Sequence, residues 1–330
     1  MENTNTKAKI TKKAATGLIL TVAIAALSAV AAFLSNRQHT ALFDQKQGVH
    51  IELPFANVLG LFDEDYVARL FVTGLIAPES ESYCQSWILQ TIEDLTHDKH
   101  NKGIILYVDS PGGGVYEADE VYLALMRYKS DKGAPVYAYL GPLAASGGYY
   151  VSCAADSIWA NRNTLTGSIG VIAGQFVDAT ELLSKIGVKS TTIHSGRNKL
   201  MGNLDEPMTQ EQQQIMQRIS DECYEQFTGI VAESRALPIE TVLSLADGRL
   251  YTASQAMESS LIDAVGSYED ALDAMMRREF DFAQYPVEDF YYQRRMSLYE
   301  FLMGLSSLSR QEASSRSPLP FPAYFCPLAR

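Results

Sequence analysis

The sequence predicts an α/β protein, because short apolar runs alternate with amphipathic stretches from Asp65 to about Glu279. Two units carry this signal most clearly. The run from Gly103 to Val108 has the continuous apolar character of a buried parallel strand, and helical spacing follows from Val115 to Lys129. The run from Pro135 to Leu140 is again strand-like. About 215 residues are enough for one large core.

Further elements are predicted from periodicity in the same region. Helices are expected at Tyr83 to His97, Thr209 to Ala236 and Tyr268 to Phe280, and a strand at Ser190 to His194. The long helix in the middle of this set carries one apolar side without a sustained heptad, so we expect it to pack in the core or against another subunit.

The first strand–helix unit contains the turn Asp109-Ser110-Pro111-Gly112-Gly113-Gly114. Three glycines allow main-chain N–H groups to face outward with no Cβ atoms in the way. Such a turn can cradle an anion or an oxyanion. Neither the dinucleotide nor the P-loop spacing is met, which disfavours a phosphate site.

The second unit contains the turn Ala144-Ala145-Ser146-Gly147-Gly148. A serine at the start of a helix lies at the positive end of the helix dipole, which suits a nucleophile. The N–H of Gly147 can point at the same oxygen as a donor from Gly113. The alternative interpretation is that Ser146 is a simple helix N-cap.

A serine nucleophile needs a proton acceptor, and the five histidines offer few candidates. They are His39 and His50 in the leader region, His97 and His100 in a charged link, and His194 in the strand-like run. Lys199 is a stronger candidate for the general base than these histidines, because a lysine buried in an apolar site loses its charge more readily.

The amino terminus predicts a membrane anchor. Residues 1–13 carry four lysines, and the uncharged apolar run at 14–35 is about long enough to cross a bilayer core of roughly 30 Å. This charge distribution predicts a cytoplasmic N-terminus, with the tether at 36–64 and the domain at 65–280 outside. A cleaved secretory signal is the alternative. In both cases the domain is exported.

Composition limits the partners. The formal net charge of −12 argues against nucleic acid. The four cysteines, Cys84, Cys153, Cys223 and Cys326, lack metal-ligand spacing. Chemistry by a serine and a lysine needs no metal or organic cofactor, so none is expected. Cys153 is expected to be buried packing rather than a nucleophile. The extension at 281–330 is expected to be partly disordered, and its peptide-like end suggests a segment that visits the active-site groove.

The two turns, the run Thr166-Gly167-Ser168-Ile169-Gly170-Val171-Ile172 and the segment Ser195-Gly196-x-x-Lys199 together resemble the signal peptide peptidase A family of membrane-bound Ser-Lys peptidases. The resemblance implies a ClpP/crotonase-like fold of repeated β-β-α units. It also implies a nucleophile at Ser146, a general base at Lys199 and oxyanion donors at Gly113 and Gly147, with Gly112 and Gly114 as near alternatives. Ser168 would orient the lysine.

The expected activity is hydrolysis of peptide bonds in remnant signal peptides and other membrane-associated peptides. The resemblance also implies a homo-oligomeric ring. Two other classes stay open: a crotonase-type acyl-CoA enzyme, which would not need Ser146 or Lys199, and a catalytically silent peptide-binding scaffold.

Overall fold

The computed structural model describes residues 64–293 and the short strand at 323–325. The strands are β1 (Tyr66–Thr73), β2 (Asn101–Ser110), β3 (Gly112–Gly114), β4 (Val136–Ala145), β5 (Ser157–Ala160), β6 (Leu165–Gly167), β7 (Leu250–Thr252), β8 (Ala264–Val265), β9 (Val287–Phe290) and β10 (Ala323–Phe325). The helices are α1 (Gln85–His97), α2 (Val115–Lys132), α3 (Gly147–Ser152), α4 (Thr180–Lys185), α5 (Gln210–Arg235), α6 (Ile239–Leu245), α7 (Ala253–Glu258) and α8 (Tyr268–Glu279). The predicted α/β class is confirmed.

Eight strands form one sheet in the order β7-β6-β4-β2-β1-β9, and β5 and β8 extend it from the first half of β4. Every pairing in this sheet is parallel except that of β6 with β7. The carboxyl ends of β2 and β4 lie side by side, with Ser110 opposite Ala144. This register brings the two glycine-rich turns to one edge of the sheet.

Helices cover both faces of the sheet. On one face the buried side chains of β1, β2 and β4 pack with those of α1, α2, α3 and α5 in the main core. On the other face a smaller cluster packs α8 against the sheet through Met275 and Met276. Burial on both sides explains why β2 and β4 are nearly continuous apolar runs in the sequence.

The predicted long helices are confirmed. The start of α5 is set locally: Thr209 accepts a hydrogen bond from the Gln212 N–H, and the Gln212 side chain accepts one from the Thr209 N–H. The strand predicted at Ser190 to His194 is wrong, because this run forms no strand pairing and is exposed throughout. The β-branched residues there have no neighbouring strand to pair with, and β-propensity acts through such neighbours.

A long segment between β6 and α5 lies outside the core. None of residues 171–209, which we call the arm, is buried. The arm contains half of the sixteen exposed large apolar side chains in the described part of the chain: Ile172, Phe176, Val177, Leu182, Ile186, Val188, Ile193 and Leu204.

The anchor predicted at 14–35 and the tether at 36–64 fall outside the described residues, except for Glu64. Among the described residues, no helix combines the length and apolar character that a membrane crossing requires.

Candidate active site

Ser146 stands between β4 and α3 in a strained backbone conformation, with φ 55° and ψ −118°. A non-glycine residue in such a sparsely populated region persists only where the surroundings hold it, and such residues cluster at functional sites. Ser146 is 1% exposed, and its hydroxyl has no hydrogen-bond partner among the described residues. Its side chain makes no N-cap hydrogen bond. The simple capping interpretation is therefore disfavoured.

The neighbouring elements fix this turn closely. The Ser146 N–H donates to the Gly167 carbonyl at 2.7 Å, and the Tyr150 N–H donates to the Ser146 carbonyl at 2.8 Å. A Cβ atom on Gly148 would stand 2.9 Å from the Ser110 carbonyl oxygen, so the helix can approach the end of β2 this closely only with glycine at that position.

The triple-glycine strand β3 presents only one of its three N–H groups to the open side. The Gly112 N–H donates to the Ser110 hydroxyl at 3.1 Å, and the Gly114 N–H donates to the Ile76 carbonyl at 2.9 Å. Gly113 lies between them with its main-chain groups on the opposite side of the strand. A Cβ atom on Gly113 would stand 1.7 Å from the Ile76 oxygen. These contacts favour Gly113 over both near alternatives as an oxyanion donor.

The open side of β3 accepts an extended chain. Strand β10 pairs with it antiparallel, with Tyr324 opposite Gly113 and Phe325 opposite Gly112. Because the main-chain groups of Gly112 and Gly114 are engaged with Ser110 and Ile76, the main-chain groups of Gly113 face Tyr324. The suggestion that the C-terminal segment visits the predicted groove agrees with this pairing.

Gly147 is the first residue of α3, where helix N–H groups have no intrahelical acceptor. Within the described part of the chain its N–H has no main-chain hydrogen bond, and it follows Ser146 directly. It is therefore available as a second donor.

Ser168 follows β6 with φ 52° and is 6% exposed. Since Gly167 accepts the hydrogen bond from the Ser146 N–H, Ser168 lies close to the turn at residues 144–148. It borders a cavity of about 360 Å³ between the end of β6, one face of α5 and the loop before β7. The other lining residues are Gly170, Val171, Ile172, Gln217, Ser220, Asp221, Tyr224, Ala246, Asp247 and Gly248.

Lys199 lies in the arm, in the turn that follows Gly196, and its side chain is exposed. Since the Ser146 hydroxyl has no partner among the described residues, no hydrogen bond joins it to Lys199 within this single chain. The expectation of a lysine buried in an apolar site is therefore not met in one chain. The cause is the position of Lys199 in the arm, where its side chain is exposed and not packed into the core.

The other candidate side chains are placed as follows. Burial raises the pKa of the Cys153 thiol to about 12, so it stays protonated, in agreement with its prediction as packing. His194 is exposed in the arm, and its Nδ1 lies 3.2 Å from the Gly196 carbonyl oxygen. His97 and His100 lie at the end of α1 and just before β2, at the opposite ends of the strands from Ser146.

Sequence reasoning gave no role to Ser110 and Ile76, although both hold the glycine strand. The Ser110 hydroxyl donates to the Gly74 carbonyl at 2.6 Å and accepts from Gly112. Ile76 pairs with Gly113 through an isolated parallel bridge. A serine inside the glycine motif was a visible signal for the first residue, whereas nothing in the sequence near Ile76 pointed to the second.

Comparison with known proteins gives a family match and several relatives. Residues 128–280 match the model of peptidase family S49, and this range includes Ser146, Ser168 and Lys199. A putative signal peptide peptidase SppA of Enterococcus faecium is 36% identical over 220 residues, which cover 64% of this chain and 63% of that protein. A putative protease of Synechocystis is 38% identical over 205 residues, covering 62% of this chain and 71% of that protein.

Two further matches are a second curated protease and a solved structure. Protease 4 of Salmonella typhi is 35% identical over 181 residues, which cover 55% of this chain and 29% of that protein. The solved structure of a ClpP1 point mutant from Listeria monocytogenes superposes with a TM-score of 0.42 and 16% identity, over 62% of this chain and 93% of that one.

A serine on a strained strand-to-helix turn beside a glycine strand is the kind of site that serine peptidases use. The chain belongs to the signal peptide peptidase A family of serine peptidases, peptidase family S49.

Proposed function

We propose that this chain is a serine endopeptidase that uses Ser146 as nucleophile and Lys199 as general base. The observation that carries the proposal is the Ser146 hydroxyl, which is buried, has no hydrogen-bond partner in the described residues and stands on a strained strand-to-helix turn. A buried hydroxyl left unpaired is costly, and a catalytic role accounts for it.

In this mechanism a neutral Lys199 amine takes the proton from the Ser146 hydroxyl, and the oxygen attacks the scissile carbonyl carbon. The N–H groups of Gly113 and Gly147 stabilise the oxyanion of the tetrahedral intermediate. The ammonium then gives its proton to the leaving amine, and an acyl-enzyme remains on Ser146. A water deprotonated by the same lysine hydrolyses that ester.

The lysine is supplied by a second copy of the chain. The arm exposes large apolar side chains that one chain does not cover, and Ile193, six residues before Lys199, is 97% exposed. Exposed apolar groups of this number mark an association surface. In a ring the arm of one subunit lies against the next, so its lysine becomes desolvated and its amine can lose the proton.

The cavity beside Ser168 is suited to receive such a lysine. It is about 360 Å³ in volume and is lined by Ser168 and Asp221. Ser168 directly follows Gly167, whose carbonyl accepts the hydrogen bond from the Ser146 N–H. The Ser168 hydroxyl and the Asp221 carboxylate can each accept a hydrogen bond from an ammonium. In this arrangement Ser168 orients the lysine for proton transfer to and from Ser146.

The experiment mixes two inactive variants. Ser146→Ala and Lys199→Ala are each expected to be inactive alone, and co-expressed together they are expected to regain about a quarter of wild-type activity, because a random mixture leaves that share of sites with both residues. No recovery in co-purified mixed assemblies would place both residues in one chain. Activity in Lys199→Ala alone would assign the base elsewhere.

The proposed substrates are remnant signal peptides and other membrane-associated peptides, bound in an extended conformation along β3. The pairing of β10 with β3 supports this binding mode, since strand addition uses main-chain groups and accepts many sequences. We also propose that the run at 14–35 anchors the chain in the cell membrane and that the domain lies on the extracytoplasmic side, where such peptides remain after export.

The C-terminal segment is proposed to restrain the enzyme by occupying the substrate edge. Deleting residues 314–330 is expected to lower KM for an extended peptide by about tenfold with kcat unchanged, since a tethered strand competes at a high effective concentration. Tyr324→Pro keeps the chain length but removes the N–H opposite Gly113, and it is expected to act in the same direction. Unchanged KM in both variants would count against the restraint.

A further inference from the structure

We infer that Ser110 is a positioning residue that determines which N–H of the glycine strand faces the substrate groove. This inference rests on the proposed function, because it concerns the oxyanion donor of that reaction. Ser110 is completely buried, and its hydroxyl donates to the Gly74 carbonyl at 2.6 Å and accepts from the Gly112 N–H at 3.1 Å.

The Ser110 hydroxyl and Ile76 together hold Gly112 in the orientation that leaves Gly113 available. The hydroxyl accepts from the Gly112 N–H, and the Ile76 N–H donates to the Gly112 carbonyl at 2.9 Å. A serine hydroxyl has one donor and two acceptor sites, and here the donor and one acceptor are used on two main-chain groups. Gly112 has φ 99°, a conformation that side-chain-bearing residues rarely adopt, so no Cβ resists rotation of the adjacent peptide group. The hydrogen bond to Ser110 supplies the restraint that a side chain would otherwise give.

Ser110 also connects the glycine strand to the nucleophile turn. Its Cα pairs across the sheet with Ala144, two residues before Ser146. A Cβ atom on Gly148 would stand only 2.9 Å from the Ser110 carbonyl oxygen. Ser110 and the start of α3 are therefore in close contact. One residue therefore sets the position of the N–H donor on one side and borders the nucleophile helix on the other.

Loss of the hydroxyl leaves the Gly112 N–H and the Gly74 carbonyl without their partner in a buried place. Unsatisfied buried groups favour rearrangement that restores a hydrogen bond. Rotation of the peptide group between Pro111 and Gly112, which carries the freed N–H, would shift Gly112 and turn the adjoining Gly113 N–H away from the oxyanion. Stabilisation of the tetrahedral intermediate is then lost, whereas pairing of the substrate with the rest of the groove is retained.

The test compares Ser110→Ala with Ser157→Ala. Ser157 is also buried, and it lies in β5, away from the glycine strand. Its hydroxyl accepts a hydrogen bond from the Trp159 indole N–H at 3.1 Å. We expect Ser110→Ala to lower kcat by about tenfold to a hundredfold with KM changed by less than about twofold, because an oxyanion donor acts on the transition state. Ser157→Ala is expected to leave both constants near those of the wild type.

A second readout separates positioning from a merely structural role. The inhibition constant of a peptide boronate, which forms a tetrahedral anion on the serine, should rise in Ser110→Ala by the same factor as kcat falls. The dissociation constant of an uncleavable peptide analogue, whose carbonyl carbon stays planar, should not change. A lower fraction of active sites with an unchanged inhibition constant would overturn the inference.

If Ser110→Ala does not fold, Ser110→Cys replaces it, because a thiol keeps the shape and is a weaker hydrogen-bond partner. An intermediate loss of kcat is expected, and wild-type kcat in Ser110→Cys with the boronate constant unchanged would contradict the inference. Failure of the proposed function itself is distinguished beforehand, since it would appear as hydrolysis that persists in Ser146→Ala.

Discussion

Replacing Ser146 by alanine is expected to reduce kcat for peptide hydrolysis by on the order of 10⁴-fold or more, because the attacking oxygen is removed while the fold is kept. The loss of one unpartnered hydroxyl removes no hydrogen bond from the described structure, so thermal stability should not fall. The measurement is steady-state hydrolysis of a fluorogenic peptide together with a thermal denaturation curve.

Ser152 gives a matched control on the same helix. It is completely buried, and its hydroxyl donates to the Gly148 carbonyl at 2.8 Å. Ser152→Ala should lose about 1 kcal/mol of stability and retain hydrolysis. Equal losses of activity in Ser146→Ala and Ser152→Ala would indicate damage to α3 rather than loss of a nucleophile.

Replacing Gly113 by alanine is expected to lower kcat by about 10²-fold to 10³-fold, the effect of losing one oxyanion donor. The added Cβ would stand 1.7 Å from the Ile76 carbonyl oxygen, so the strand must move away from Ile76. That movement displaces the Gly113 N–H from the groove. Hydrolysis of a short peptide and the inhibition constant of a peptide boronate would both report the change.

Gly229 provides the control for this second substitution. It lies within α5, and a Cβ at that position would meet open space. Gly229→Ala should keep full activity and raise the free energy of unfolding by about 1 kcal/mol, as expected for alanine in a helix. Wild-type kcat in Gly113→Ala would show that the donor lies elsewhere on the turn.

The parts of this molecule that local chemistry decides were predictable. Helix α5 begins where Thr209 and Gln212 exchange hydrogen bonds, and both partners stand within four residues of sequence. The strands β2 and β4 were visible as apolar runs because both of their faces are buried. The candidate nucleophile Ser146 could also be predicted from local sequence, since the strand, the serine and the helix follow one another directly.

The resemblance implied Gly113, but the residues themselves left the choice among the three glycines open, because that choice depends on contacts from distant parts of the chain. Ile76 lies far before the glycine strand in the sequence, and its carbonyl accepts the Gly114 N–H. The hydrogen bond from the Gly112 N–H to the Ser110 hydroxyl joins residues only two apart in sequence. It nevertheless depends on a turn geometry that residue types alone do not specify.

The environment of Lys199 was the least predictable feature. The segment around Lys199 indicates a candidate general base, but the burial of its side chain depends on tertiary or quaternary packing. Nothing in the sequence indicated that the apolar residues of the arm are exposed in the single chain. The proposed association of subunits gives these side chains a partner and gives the lysine a desolvated position.

The most direct test of this account is labelling with a fluorophosphonate, followed by peptide mapping of the modified residue. The account predicts a phosphonyl adduct on Ser146, abolished in Ser146→Ala and slowed by at least about a hundredfold in Lys199→Ala, since the amine must remove the serine proton. An acyl-CoA enzyme or a silent scaffold would give no adduct on Ser146. An adduct on a different residue, or a labelling rate unaffected by Lys199→Ala, would contradict the proposed Ser-Lys pair.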